Sequence, residues 1–226
     1  TAEHFYEGLE TYDSQVDSWI VDLRGNPGGT SDAAATAAAY FIGPGVMVYF
    51  RDGDDNYNYT FAPIGFEQMS EKPVLVLTSP YSASGAELFA AAVRDYEVGT
   101  LMGERTFGKG VAQLLLSDSI YPDYFQEGDA LKVTTYRFFS PNGTTNDKIG
   151  VIPDLLVTDE SCAVLATLLS GKVPSAAMNH LRLTISGVSW YIDLSEAGKE
   201  ENRAAFTELL EAIPPAALLE GGRGGD

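Results

Sequence analysis

The sequence is poor in cysteine, histidine and positive charge. Its 226 residues include one cysteine, Cys162, so neither an internal disulfide nor a thiolate metal site can form. The two histidines, His4 and His180, lie far apart in the sequence, so we expect no zinc site, and no other metal or cofactor is expected. Fourteen Lys and Arg against 32 Asp and Glu give a net charge of −18, which disfavours nucleic acid and anionic membrane surfaces as partners.

Long apolar runs are also absent. No stretch reaches 18 consecutive apolar residues, the length that a membrane-spanning helix requires. The sequence begins at Thr1 rather than at methionine and shows no signal peptide, so we expect a fragment whose targeting segment lies upstream. A content of 45% hydrophobic and 20% charged residues is that of a globular domain with a full core.

Short apolar strands alternate with helical patterns along most of the chain. Several of these strands are wholly apolar, which is typical of strands buried on both faces. The pattern therefore predicts an α/β fold with layered elements and a mainly parallel sheet. The predicted strands are 19–24, 46–51, 56–61, 73–78, 98–102, 110–117, 130–137 and 151–157, and the predicted helices are 5–18, 31–40, 84–95 and 159–170.

The last quarter of the sequence has a different pattern. We predict a main domain over 1–172, followed by a linker and a small appendage over 173–226. Two strands, 181–186 and 188–193, and one helix, 198–212, are too few to fold alone. The appendage is therefore expected to pack against the main domain.

Three turns that carry polar residues follow three of the apolar strands. If strands 19–24, 73–78 and 98–102 are parallel, the turns after them lie together at the carboxyl edge of the sheet. Sites in α/β proteins are placed at this edge. The sequence therefore predicts one site built from these three turns.

Ser84 stands in the second of these turns. With Glu87 it forms a Ser-x-x-Glu capping box, so it is either a helix cap or an exposed nucleophile at a helix start. In the second case the N–H of Gly85 is available to stabilise an oxyanion. Ser82 is the rival nucleophile.

Lys109 stands in the third turn, between two glycines. It is either a solvated loop lysine or a base set among apolar neighbours. In a strand over 109–116, Gln113 shares a face with Lys109, so it is either an exposed polar residue or a group that orients the amine. The glycines also imitate a phosphate-binding loop, but Gly110 replaces the Ser or Thr that would bind magnesium, and a strand follows instead of a helix.

The first turn contains Pro27, Gly28 and Gly29. It is either an ordinary turn, or one of the two glycines donates a second N–H to an oxyanion at Ser84. A histidine triad is not expected, because neither histidine belongs to the three turns.

Taken together, these segments resemble the carboxyl-terminal (tail-specific) processing proteases, a family of serine proteases. The resemblance rests on the order and spacing of four strings across about 20–158. They are Asp22-Leu-Arg-Gly-Asn-Pro-Gly-Gly29, Ser82-Ala-Ser-Gly-Ala-Glu87, Gly103-Glu-Arg-Thr-Phe-Gly-Lys-Gly110 with Gln113, and Gly150-Val-Ile-Pro-Asp154.

The resemblance implies a serine endopeptidase with Ser84 as nucleophile, Lys109 as base and Gln113 as the group that orients it. Gly85 and either Gly28 or Gly29 would form the oxyanion hole. The implied fold is the core shared by crotonases and Clp-type peptidases, and the implied location is outside the cytoplasm, in the periplasm, in the cell wall or anchored as a lipoprotein.

Family members usually carry a PDZ domain before this core. Nothing in the sequence resembles one, so we expect that domain to lie upstream of this fragment. The implied substrates are polypeptides with exposed, unstructured carboxyl-terminal tails. The main alternative is a non-catalytic module on the same fold that binds a ligand or peptide. A more distant one is a CoA-dependent enzyme, for which cationic residues are scarce.

Overall fold

The computed structural model describes residues 2–175 and 179–221. In these ranges the chain forms six α-helices and eleven strands. The helices are α1 (Ala2–Tyr12), α2 (Ser31–Ile42), α3 (Gly85–Asp95), α4 (Asp159–Leu168), α5 (Leu194–Ala197) and α6 (Glu200–Ala212). The strands are β1 (Trp19–Asp22), β2 (Gly45–Arg51), β3 (Tyr57–Ala62), β4 (Val74–Thr78), β5 (Gly99–Gly103), β6 (Val111–Ser117), β7 (Ala130–Phe139), β8 (Leu155–Leu156), β9 (His180–Ile185), β10 (Val188–Asp193) and β11 (Leu218–Gly221).

The centre of the fold is a four-stranded parallel sheet in the order β1-β4-β5-β8. Every residue of β4 and β5 is buried, as expected for strands that are covered on both faces. Helix α2 and the β2–β3 hairpin lie between β1 and β4 in the chain, and α3 joins β4 to β5. Strands β1, β4 and β5 are therefore parallel, which is the condition for the predicted convergence of the turns that follow them.

The prediction of a mainly parallel sheet is wrong for the fold as a whole. Strands β2, β3, β6 and β7 form a separate antiparallel sheet in the order β3-β2-β7-β6. Most residues of β6 and β7 are exposed or half-buried, and hairpin connections suit strands that face water on one side. The fold is a mixed α/β structure with one parallel sheet and two antiparallel sheets.

Two hydrophobic cores cover the faces of the parallel sheet. Helices α1, α2 and α3 pack on one face, and α4, α6 and the C-terminal strands pack on the other. Trp190 of β10 is fully buried, and its Nε1–H donates to Thr100 Oγ1 of β5 over 2.9 Å. The C-terminal residues thus share a core with the main sheet, while the division at residue 172 stays a prediction.

The C-terminal unit contains two elements that were not predicted, the short helix α5 and a third strand. The third strand, β11, pairs antiparallel with β9 and gives the sheet order β10-β9-β11. Residues 176–178 of the predicted linker and 222–226 at the chain end lie outside the described residues.

Candidate active site

The three turns that follow β1, β4 and β5 lie against one another. The N–H of Ala83 donates to the carbonyl of Asn26 over 3.0 Å, which joins the first turn to the second. The N–H of Phe107 donates to the carbonyl of Ser82 over 3.0 Å, which joins the third turn to the second. The predicted convergence of the three turns at one sheet edge is therefore confirmed.

The side chain of Ser82 is hydrogen-bonded to the backbone at this edge of the sheet. Its side chain is fully buried, and its hydroxyl donates to the carbonyl of Leu23 over 2.8 Å. The same hydroxyl accepts the N–H of Ser79 over 3.0 Å. A hydroxyl held in this way has no access to a substrate, so Ser82 has a structural role and the rival nucleophile is eliminated.

Ser84 lies at the sharp turn from β4 into α3 and has a strained backbone. Its φ is +56° and its ψ is −117°, a region that is nearly reserved for glycine. Holding a serine there costs of the order of 1–3 kcal/mol. The nucleophilic serine of α/β-hydrolases occupies a similarly strained strand-to-helix turn, because such a turn exposes the side chain. Ser84 is half-buried and lines an open cleft.

The cleft beside Ser84 has a volume of about 310 Å³ and also contains Lys109 and Gln113. Lys109 is half-buried, and the described residues include no acidic ion-pair partner for its amine. Gln113 is exposed, and its Nε2–H donates to Thr134 Oγ1 over 3.3 Å. Among the hydrogen bonds of the described residues, none joins Gln113 to Lys109. The structure thus brings the three predicted residues to one cleft.

Lys132 of β7 also lines this cleft, and the sequence prediction did not include it. It lies on the strand that pairs with β6, directly opposite Leu115. Only the pairing register brings it near Lys109, and no local pattern in the sequence reveals that register.

The first turn places two glycines against Ser84 and Gly85. A Cβ on Gly28 would lie 2.4 Å from the Ala83 carbonyl oxygen and 2.6 Å from the Gly85 nitrogen, so no other residue fits there. The N–H of Gly28 already donates to Asn26 Oδ1 over 2.9 Å. Gly29 lines the cleft, and its nitrogen lies 3.1 Å from the position of a Cβ on Gly85. This arrangement leaves Gly29, rather than Gly28, as the candidate for the second N–H donor predicted beside Ser84.

Glu87 connects the second turn, which carries Ser84, to the third turn, which carries Lys109. The side chain is fully buried, yet its carboxylate accepts four hydrogen bonds. Oε2 accepts the N–H groups of Ser84, over 2.9 Å, and of Lys109, over 2.8 Å. Oε1 accepts the hydroxyl of Thr106, over 2.6 Å, and the N–H of Gly108, over 2.8 Å. One carboxylate therefore fixes the backbone of both Ser84 and Lys109.

Comparison with known proteins agrees with this arrangement. The family described as Peptidase family S41 matches residues 1–157, well over half of the sequence. The chain belongs to peptidase family S41.

Individual S41 relatives are carboxyl-terminal processing proteases. The carboxy-terminal-processing protease of Bartonella bacilliformis is 34% identical over 144 residues, which cover 63% of this chain and 31% of that protein. The probable CtpA-like serine protease of Staphylococcus aureus is 26% identical over 218 residues, which cover 94% of this chain and 42% of that protein. The resemblance found in the sequence is therefore confirmed.

Among solved structures, the photosystem II D1 C-terminal processing protease matches with a TM-score of 0.62 and 30% identity. The match covers 71% of this chain and 39% of that one. The chain thus has the fold of an S41 protease and spans less than half the length of these relatives.

The fourth of the matching strings, Gly150-Val-Ile-Pro-Asp154, contacts the site through hydrogen bonds between Val151 and Thr106. The Thr106 hydroxyl, which donates to Glu87, accepts the N–H of Val151 over 2.6 Å. In return, the N–H of Thr106 donates to the carbonyl of Val151 over 3.1 Å. These contacts explain why 150–154 is a loop rather than the strand predicted over 151–157, of which only Leu155–Leu156 is formed.

Asp22 and Arg24 form an ion pair just before the turn that contains Gly28 and Gly29. Arg24 donates to both Asp22 oxygens, over 3.0 and 2.8 Å, and to Asp159 Oδ1 over 3.0 Å. The hydrogen bonds from Arg24 lower the pKa of Asp22. This cluster fixes the start of the turn that carries Gly28 and Gly29.

Other titratable side chains lie away from the cleft. Cys162 is fully buried, and burial raises the pKa of its thiol to about 11, so it is unreactive near neutral pH. His180 lies 4.0 Å from Asp193 in the C-terminal unit. Within 2–175 and 179–221, no group of three His, Cys, Asp or Glu is arranged to bind a metal ion. No helix in these ranges is both long enough and apolar enough to cross a membrane.

Asp154 ends the fourth string and provides a test of pH dependence. It is largely buried, accepts the N–H of Leu101 over 2.8 Å, and burial raises its pKa. A raised folded-state pKa stabilises the fold at low pH, and this contribution is lost as the pH rises through that pKa. We expect Asp154→Asn, which keeps an acceptor for Leu101, to be more stable than the wild type by about 1 kcal/mol at pH 7–8.

The advantage of Asp154→Asn should disappear as the pH falls below the raised pKa of the wild-type carboxyl, which then becomes protonated. Denaturant unfolding of both proteins across this pH range measures the difference. A variant that is less stable than the wild type at pH 8 would show that the ionised carboxylate stabilises the fold.

Proposed function

We propose that this chain is the catalytic region of a serine endopeptidase with Ser-Lys chemistry. The observation that carries the proposal is the single cleft in which Ser84, Lys109 and Gly29 meet beside a strained turn. A module that only binds a ligand has no need for a serine held in an unfavourable conformation. It also has no need for a buried carboxylate that joins this serine to a lysine.

In the proposed reaction Lys109, with its amine neutral, accepts the proton of Ser84. The Ser84 oxygen bonds to the peptide carbonyl carbon, and the N–H groups of Gly85 and Gly29 stabilise the oxyanion. The carbon–nitrogen bond then breaks, and Lys109 returns the proton to the leaving amine. A water molecule, deprotonated by Lys109, then bonds to the acyl carbon. The bond from this carbon to the Ser84 oxygen breaks, Lys109 returns the proton to that oxygen, and the new carboxyl terminus is released.

Gln113 has the role of orienting Lys109 in this scheme. Its Nε2–H is engaged by Thr134, so its Oε1 is the atom that accepts from the lysine amine. The proposed substrates are polypeptides with unstructured carboxyl-terminal tails, and the proposed location is outside the cytoplasm, as the family resemblance implies.

A covalent probe tests the proposal without knowledge of the natural substrate. A compact fluorophosphonate is expected to label the wild-type chain once, at Ser84, and peptide mapping identifies the modified residue. Ser84→Ala should lose both the label and the cleavage of an unfolded protein substrate, by about 10³-fold or more. A matched change in the same cleft, Ser31→Ala, should keep both.

Two results would contradict the proposal. One is labelling that persists in Ser84→Ala. The other is a folded wild-type chain that is neither labelled nor active on any unfolded substrate, which would favour the non-catalytic binding module.

A further inference from the structure

The side chain of Arg24 links the first turn to helix α4. Its Nη1–H donates to Asp159 Oδ1 over 3.0 Å, while its Nε–H and Nη2–H donate to Asp22 at the end of β1. Only 23% of the Arg24 side-chain surface is exposed, so the guanidinium is held mainly by protein groups. Arg24 also begins the turn that carries Gly29, and its contact with Asp159 therefore ties the start of that turn to α4.

Helix α4 is held in turn by Glu208 of α6, in the C-terminal unit. Glu208 Oε1 accepts the N–H of Thr158 over 2.6 Å, and Oε2 accepts the Thr158 hydroxyl over 3.0 Å. Hydrogen bonds from Ser161 and Thr158 lower the pKa of Glu208, so its side chain is a carboxylate near neutral pH. Thr158 is the N-cap of α4 and directly precedes Asp159. Glu208 therefore fixes the end of the helix from which Asp159 reaches Arg24.

These four residues, Glu208, Thr158, Asp159 and Arg24, form a polar connection that we call the C-terminal bridge. Three of the four lie beyond residue 157, where the match to family S41 ends. The bridge thus joins the first of the matching strings to a part of the chain outside the family match.

A shift of Arg24 reaches the proposed oxyanion site through Asn26. The Asn26 side chain accepts the N–H of Gly28 over 2.9 Å, and its carbonyl accepts the N–H of Ala83 over 3.0 Å. Gly28 directly precedes Gly29, and Ala83 directly precedes the proposed nucleophile. A movement at the start of the first turn therefore displaces Gly29 relative to that nucleophile.

We propose that Asp159 and Glu208 are positioning residues for the peptidase reaction, and that the C-terminal bridge holds the N–H of Gly29 where the oxyanion forms. The inference rests on the proposed function. Oxyanion donors act in the transition state, and a misplacement of about 1 Å costs about 10²-fold in rate. Because the bridge acts through Arg24 rather than at the reacting atoms, its loss is expected to cost less, about 10-fold.

The first test compares Asp159→Ala with Glu160→Ala in the full chain. Both residues are exposed and acidic and lie in the first turn of α4, so each change removes one negative charge from the same helix start. With fluorescein-labelled casein as an unfolded substrate, Asp159→Ala should lower kcat about 10-fold and change KM by less than about two-fold. Glu160→Ala should keep kcat within about two-fold of the wild type. Equal kcat values for the two variants, or a loss confined to KM, would overturn the inference.

The second test addresses the far end of the bridge. Glu208→Ala should lower kcat about 5-fold, and Glu208→Gln, which keeps an acceptor for the N–H of Thr158, should restore most of the loss. Glu211→Ala, on an exposed residue of the same helix, is the control and should keep the wild-type kcat. A folded Glu208→Ala variant with wild-type kcat would overturn the role of the C-terminal unit.

The double variant shows whether the two residues act through one connection. Asp159→Ala with Glu208→Ala should lose no more than about two-fold beyond Asp159→Ala alone, because both changes release Arg24. Losses that multiply, to about 50-fold, would mean that the two residues act independently and would overturn the bridge.

The fluorophosphonate separates failure of this inference from failure of the proposed function. Labelling of wild-type Ser84 together with equal kcat values for Asp159→Ala and Glu160→Ala would overturn the bridge alone. An unlabelled, inactive wild-type chain would overturn the peptidase proposal and the bridge with it. Labelling of Ser84 in every variant, slowed about 10-fold in Asp159→Ala, is the expected result.

Discussion

Replacement of Lys109 by arginine is expected to reduce peptide cleavage about 10³-fold, although the positive charge is kept. A general base contributes typically 10²- to 10⁴-fold, and arginine cannot lose its proton in a protein. Lys109 shares the cleft with Ser84, and its own N–H is held by Glu87, so the backbone of the variant should stay in place. Steady-state cleavage of an unfolded substrate and the rate of Ser84 labelling both measure the loss.

The same change at Lys132 is the matched control, because this lysine lines the same cleft. Lys132→Arg should change the rate by no more than about two-fold, as is usual for a surface substitution. If Lys109→Arg keeps more than about a tenth of the activity, a charged group is sufficient at this position. The general base would then be another residue.

The sequence was sufficient to predict the central sheet and the place of the site. Wholly apolar strands followed by glycine- and serine-rich turns identify β1, β4 and β5, and parallel pairing brings their turns together whatever their separation in the chain. The family resemblance implied Ser84 rather than Ser82, but the physical reason for excluding Ser82 needed the structure. Both serines lie in one short string, and only the buried hydrogen bonds of Ser82 distinguish them.

Pairing between distant segments accounts for most of what the sequence did not reveal. Strand β11 has only four residues, all exposed, and its formation depends on pairing with β9. The loop over 150–154 has an apolar, strand-like composition, but hydrogen bonds to Thr106 and Leu101 hold it in another conformation. The antiparallel sheet likewise depends on the pairing of β2 with β7, which lie about 80 residues apart.

The sequence pattern around Glu87 predicts only one of the four hydrogen bonds that its carboxylate accepts. Ser84-x-x-Glu87 predicts a capping box, and the N–H of Ser84 does donate to Glu87. The other three donors come from Thr106, Gly108 and Lys109, about 20 residues later in the chain. A residue predicted as a helix cap is therefore also the connection between the proposed nucleophile and the proposed base.

Glu87→Gln is accordingly expected to lower both stability and activity. Each carboxylate oxygen accepts two hydrogen bonds, whereas an amide keeps one oxygen and presents an NH₂ group in place of the other. Either orientation of the amide directs N–H groups at two donors, so two buried hydrogen bonds are lost. We expect a loss of about 2–4 kcal/mol in the free energy of unfolding and about a 10²-fold loss of cleavage.

The control is Glu104→Gln, the same change on an exposed residue at the start of the third turn. It should alter neither quantity by more than about 0.5 kcal/mol or two-fold. Activity is compared at a temperature well below the melting temperature of each variant, so that unfolded protein does not contribute. Full activity of folded Glu87→Gln would show that this carboxylate stabilises the fold without positioning Ser84 or Lys109.

We expect Glu87→Gln to lower activity because the N–H groups of Ser84 and Lys109 donate to the same carboxylate oxygen. Oε2 accepts from both Ser84 and Lys109, so any shift of this atom moves the two turns relative to each other. A misplacement of about 1 Å at a reacting group is enough to cost about 10²-fold in rate. Thr106→Val removes a donor from Oε1 instead, and therefore leaves the bonds to Ser84 and Lys109 in place. For each variant, the loss of activity is compared with the loss in the free energy of unfolding. If Glu87→Gln loses more activity per unit of lost stability than Thr106→Val does, Oε2 is the atom that sets the distance between the proposed nucleophile and the proposed base.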